Sequence, residues 1–180
     1  MTKYHPRAVA IVMEHMTSLR GYASLRFLAY GSMITIYVLI VIGGYVVFSG
    51  SGAACGSSNP DSWPLCNGQF IPNPSSPNYA QALVEWTHRL FTLVAGLFVF
   101  GSTIVAWARY REEKRILQFS TASFLVLIGQ ILLGMVTVKT DLDPLVSTAH
   151  LAVASALFAT VILNAITVRG LNVSSPKDLR

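Results

Sequence analysis

The chain has 180 residues, 53% of them apolar and only 12% charged, with a mean hydropathy of +0.54. That composition excludes an ordinary soluble domain of this size. The formal net charge of +5 would suit a nucleic-acid surface only if the basic residues were gathered on one; they are instead sorted along the chain between the two sides of a membrane, and no nucleic-acid partner is expected.

The first segment, 1–24, carries Lys3, Arg7, Glu14 and Arg20 among apolar positions. It does not read as a cleavable signal with a small-residue cleavage site, and is expected to form a short cytoplasmic or interfacial helix or tail. Four stretches then run without a charged side chain, at 27–48, 90–108, 116–138 and 145–168. Each has roughly the 20 residues that a helix needs to cross a bilayer core of about 30 Å. Backbone polar groups cannot be left facing lipid, so the expected fold is an all-α membrane protein, a bundle of four transmembrane helices in a single domain. The expected order is 25–49 (first span), 50–78 (outer loop), 79–108 (second), 109–115 (inner loop), 116–138 (third), 139–144 (outer loop), 145–168 (fourth) and 169–180 (tail).

Orientation follows from the cations. Lys3, Arg7, Arg20, Arg26, Arg109, Arg111, Lys114, Arg115, Arg169, Lys177 and Arg180 fall on one side, and only Arg89 and Lys139 on the other. The positive-inside tendency therefore predicts an integral protein of the plasma membrane with both termini cytoplasmic, and some affinity for anionic lipid.

The outer loop is rich in Gly, Ser, Pro and Asn, has Asp61 as its one charge, and contains both cysteines, Cys55 and Cys66. An even pair on the oxidising face predicts a disulfide closing the extracytoplasmic loop, worth roughly 3 kcal/mol for a ring of about 12 residues. Trp63, Pro64 and Leu65 inside that ring would then form a lid. A bond exchanged during turnover, as in membrane thiol oxidoreductases, is the alternative, but no Cys-x-x-Cys pair is present.

The second span opens on a dense polar cluster, Glu85-Trp86-Thr87-His88-Arg89. Charged groups cost several kcal/mol each in hydrocarbon unless compensated, so the cluster marks a site. Glu85, His88 and Arg89 share a helix face. The second histidine of interest, His150, lies at a comparable outer depth in the fourth span, which runs parallel to the second. Two imidazoles at one level can ligate a haem iron axially, with Arg89 paired to a propionate and Thr87, Ser147 and Thr148 hydrogen-bonding around the site. The bland alternative leaves each histidine bonded to a carbonyl across a helix interface. Aligning Val84-Glu85-Trp86-Thr87-His88 with Val146-Ser147-Thr148-Ala149-His150 puts the histidines in register, after spans that end near Gly43 and Gly44 in one case and Gly134 in the other. Glu85 then corresponds to Ser147, so the carboxylate stands on one side only. Gly96, Gly101, Gly129 and Gly134, with Gln130 and Asn164, are available either for internal packing or for association of copies.

Together these residues carry a resemblance. Gly43-Gly44, Ser49-Gly50-Ser51-Gly52, Cys55, Pro60-Asp61, Trp63-Pro64-Leu65-Cys66-Asn67-Gly68 and Ile71-Pro72 resemble the outer loop of the haem A synthase family. Glu85-Trp86-Thr87-His88-Arg89 is similar to its Glu-x-x-His-Arg element, and Gly134 through Asp143-Pro144 to His150 to its second histidine region. The resemblance implies an enzyme that oxidises the C8 methyl of haem o to the formyl group of haem a through successive hydroxylations and loss of water. It implies His88 and His150 as haem ligands, Glu85 as the catalytic carboxylate and Cys55–Cys66 as the disulfide. A carboxylate beside a porphyrin edge can stabilise a developing cation at the methyl or take its proton.

Familiar members have eight spans in two halves, each half with its own histidine pair, and separate a cofactor haem b from the substrate. Here one pair is expected, so a homo-oligomer, most simply a dimer, is expected to supply the other. A haem o synthase and an electron donor are further expected partners. The competing reading is a bis-histidine cytochrome b that only transfers electrons.

Overall fold

A computed structural model of the protein describes residues 6–56 and 63–171, with side chains from position 21 onward. Pro60 and Asp61 of the loop, and Lys3, Lys177 and Arg180, lie outside the described residues, as do the side chains of Arg7, Glu14 and Arg20.

Four helices are formed, α1 Pro6–Phe48, α2 Tyr79–Arg109, α3 Lys114–Lys139 and α4 Pro144–Arg169, and all four are long and apolar enough to cross a membrane. The first differs in extent from the expected short interfacial element followed by a span. Its 43 residues form one unbroken helix, of which Gly21–Phe48 is the apolar, membrane-length part. No proline or glycine pair interrupts it near residue 24, so nothing local forces a break. The fourth helix has a well-built start: Asp143 accepts hydrogen bonds from the amides of Leu145 (3.0 Å) and Val146 (3.1 Å), and Pro144 takes the first helical position.

Each hairpin packs along its length, α1 on α2 and α3 on α4, and the hairpins close on each other through α1–α4 and α2–α3. Hence α2 and α4, which carry the two histidines, are diagonal across the bundle. The core is tiered. An inner cluster gathers Leu25, Ala29, Ala106, Ile116, Ala165 and Val168; a middle one gathers Ile36, Ala95, Val99, Leu127, Leu157 and Val161. An outer cluster of Cys55, Cys66 and Ala82 joins the loop to α2. Two polar side chains bond across helices within the spans: Asn164 Nδ2 donates to Ser102 Oγ (3.2 Å) and Thr103 Oγ1 to the Ser120 carbonyl (3.0 Å). Large apolar side chains such as Phe27, Leu97 and Leu132 face outward, where acyl chains replace water.

The α1–α2 contact depends on Gly31, since a Cβ there would lie 2.3 Å from the Phe98 ring. Gly31→Ala is therefore expected to lower stability by about 1–3 kcal/mol through overpacking, read as a reduced unfolding midpoint in detergent, with Phe98→Leu in the same chain restoring part of the loss.

Candidate functional site

The site is built where the loop meets the outer end of α2. After α1 the chain turns through Ser51, whose amide bonds the Val46 carbonyl (2.9 Å), and reaches Cys55, which is fully buried. Cys55 and Cys66 form the disulfide. Directly after it, Asn67 (φ 51°) and Gly68 (φ 78°) both take left-handed backbone conformations and close a two-residue turn, with Cys66 and Gln69 exchanging both backbone hydrogen bonds (2.8 and 3.0 Å). An Asn-Gly pair is the strongest short-range signal for such a turn, and it is a signal the loop composition alone had not singled out. Asn78 Nδ2 bonds the Ala54 carbonyl (3.0 Å) and Trp86 Nε1 the Phe70 carbonyl (2.6 Å), which fastens both ends of the loop to the start of α2.

This folding brings a backbone donor onto the buried carboxylate. The Cys55 amide donates to Glu85 Oε2 at 2.8 Å, and Arg89, one turn further along α2, forms an ion pair with Glu85 Oε1. Arg89 Nη1 also donates to the Leu65 carbonyl at 2.7 Å. Glu85 is only 3% exposed, so these donors replace the water its charge has lost; an uncompensated buried carboxylate would cost several kcal/mol. Arg89 was expected beside a propionate, and its observed bonds are to Glu85 and to the lid. Leu65 of the lid is thus tied directly to the polar cluster. The i,i+4 pairing of Glu85 with Arg89 is visible in residue spacing, but the loop contacts are not, because Cys55 and Glu85 are 30 positions apart.

Beneath the cap, between the outer and middle core clusters, lie the imidazoles. A Cβ on Gly43 of α1 would lie 3.1 Å from His88 Cε1, and one on Gly134 of α3 would lie 3.1 Å from His150 Cε1. Both rings therefore rest in glycine cradles on the preceding helix, in the same way in the two hairpins. His88 Nδ1 and His150 Nδ1 are buried with no hydrogen-bond partner. The interface-carbonyl alternative required such a partner for a ring nitrogen. Two imidazoles on diagonal helices, each in space kept clear by a glycine, suit a planar group carrying a metal between them. Among the described residues there is no cluster of three or more His, Cys, Asp or Glu that would hold a bare metal ion, so the donor set fits a metal whose remaining ligands come with its own macrocycle.

The hydroxyls sort differently from expectation. Thr87 Oγ1 and Thr148 Oγ1 turn back to the carbonyls of Leu83 (2.8 Å) and Pro144 (2.7 Å) on their own helices and are exposed, because a span hydroxyl finds its nearest acceptor one turn back. Ser147 Oγ is buried without a partner. Gln130 Nε2 lies 3.2 Å from His150 Nε2, so Gln130 serves an interhelical bond within the bundle, to a histidine partner that the sequence does not name. A carboxamide deep in a charge-free span is the signal that marks it. Of the small residues, Gly101 packs on Leu28 and Gly134 on His150, whereas Gly96 and Gly129 have open space before them.

Residues 26–180 match a family model described as cytochrome oxidase assembly protein, COX15-CtaA. Over 141 residues, 77% of this chain, it is 34% identical to the haem A synthase of Bacillus mycoides (strain KBAB4). Over the same 141 residues it is 33% identical to those of Bacillus cereus (strain AH187) and Bacillus anthracis (strain CDC 684 / NRRL 3495). The match takes in 43% of each relative's length, so the chain spans less than half of the curated relatives it resembles. No solved structure gives a significant match.

Because Arg89 compensates a buried charge, Arg89→Leu is expected to destabilise the protein by about 3–5 kcal/mol, more than a surface ion pair would. Adding Glu85→Gln to that variant should recover part of the loss, as measured by chemical unfolding of the detergent-solubilised protein.

Proposed function

The chain belongs to the COX15-CtaA family, that of the haem A synthases, and from that premise we propose that it acts in haem a biosynthesis, oxidising the C8 methyl of haem o to the formyl group of haem a. The observation that carries the reading is the clamped carboxylate. A cytochrome b that only passes electrons has a use for paired imidazoles, but none for a buried Glu85 held by Arg89 and by the amide of a disulfide-bonded cysteine.

In this reading His88 and His150 would hold a haem as iron ligands, haem b in one protomer and the substrate haem o in another, with the glycine cradles at Gly43 and Gly134 leaving room for the imidazole rings. Bound there, the haem supplies one-electron redox chemistry. Glu85 is the catalytic residue. With Oε1 and Oε2 each engaged by a donor, it is placed as a fixed negative charge, suited to stabilising positive charge that develops at the neighbouring methyl. The alternative use, as a free base, would have to break one of these bonds. Arg89 adds a cation at the mouth of the site, a fit for a propionate. The disulfide and lid exclude water above the helix ends and keep the Cys55 amide in place. A second haem site is supplied by a second copy of this fold, in a homo-oligomer whose simplest form is a dimer. The cap faces outward and both termini face the cytoplasm of the plasma membrane. A haem o synthase delivers substrate and a membrane electron carrier serves as redox partner.

The test is to purify the protein and its variants, extract the pigments and identify them by chromatography and absorption. Wild type should yield haem b together with haem o or haem a. Glu85→Gln should keep haem b and lose haem a formation by about a hundredfold or more, while His88→Ala and His150→Ala should each lose the bis-imidazole absorption spectrum. Unchanged haem a formation in Glu85→Gln, or wild type with no haem at all, would overturn the reading.

A further inference from the structure

The two hairpins share a layout, and their differences separate the two histidines chemically. His88 on Gly43 and His150 on Gly134 are cradled alike. One helical turn before each glycine, however, stands Leu39 in α1 and Gln130 in α3. Gln130 is 9% exposed, its Nε2 is 3.2 Å from His150 Nε2, and its Oε1 is buried without a partner. An amide nitrogen can only donate, so His150 Nε2 accepts through its one in-plane lone pair. That lone pair is the one a metal would use. Bonding to Gln130 and ligation of iron are therefore mutually exclusive states of the same nitrogen, and the matching position in the other hairpin, Leu39, offers His88 no such choice.

We propose that Gln130 is a positioning residue which captures His150 when it leaves the iron, making His150 the exchangeable ligand and His88 the permanent one. The proposal rests on the reading of both histidines as haem ligands. A departing His150 lands on a hydrogen-bond donor rather than in apolar surroundings, where an unpaired polar nitrogen is costly. The open-coordination state is stabilised by that bond, on the hairpin that carries Ser147 and Gln130. Glu85 and the disulfide cap belong to the other. The site thus has one fixed ligand face, next to the catalytic carboxylate, and one that opens to admit a small ligand or to let a haem be exchanged.

The full chain, loaded with ferrous haem b and mixed with carbon monoxide, reports this directly, because CO binds a bis-imidazole haem only after one imidazole has left. Gln130→Leu, which gives α3 the residue α1 has, is expected to slow CO association about fivefold, the factor one net hydrogen bond supplies. Gln130→Asn, one methylene too short to reach, should do the same and serves if the leucine variant does not fold. In a His150→Ala background CO should bind fast, at one rate whether position 130 is Gln or Leu. Equal CO rates in wild type and both Gln130 variants, or a Gln130 effect that survives removal of His150, would overturn the proposal. If wild type gives no bis-imidazole absorption spectrum with haem b, the ligand reading itself falls, and this inference with it; a normal spectrum with unchanged rates sinks the inference alone.

Discussion

Glu85 lies where water cannot follow it, and the price of that burial organises the outer half of the molecule. Its charge is compensated by Arg89 from the next turn of α2 and by the amide of Cys55. The second donor exists only while the loop is folded down. The disulfide, the Asn67-Gly68 turn and the bonds from Asn78 and Trp86 to the loop backbone all act to hold it there. Cap and carboxylate are consequently one unit: loosening the loop would strip a donor from a buried anion, and removing the anion would take from Arg89 its carboxylate while its bond to the Leu65 carbonyl remained. The polar cluster that looked anomalous in a membrane span is stable because the loop completes its hydrogen bonding.

Under that cap glycines make room for the imidazoles. Gly43 and Gly134 sit against imidazole edges where any side chain would push the rings aside, and the close-packed clusters of α1–α4 begin only deeper, around Ile36, Val99, Leu127 and Leu157. The two hairpins therefore repeat a scaffold of glycine on one helix and histidine on the next. On that repeated scaffold the chemistry is deliberately unequal. Glu85 is matched by Ser147, Arg89 by Leu151 and Leu39 by Gln130. One half has charge and a covalently fastened lid; the other has neutral hydrogen-bonding groups. A near-symmetric scaffold with unlike walls presents two chemically different faces, which a symmetric one could not.

Four charge-free runs of bilayer length and an even pair of cysteines in one polar loop were enough to determine helix number, the membrane class and the disulfide, because each is a local consequence of partitioning between water and lipid or of cysteine pairing. Glu85, His88, Arg89 and His150 stand out in the sequence for the same reason: ionisable groups inside an apolar run are conspicuous at any single position. What only the tertiary structure decided is which groups meet. That the Cys55 amide reaches Glu85, that Arg89 turns to the lid, that Thr87 and Thr148 turn away, and that Gln130 rather than a carbonyl addresses His150 all depend on how loop and helices pack. Helix periodicity assigns a residue to a face, but a hydrogen bond is settled within a few tenths of an ångström, and that distance is set by partners from distant parts of the chain.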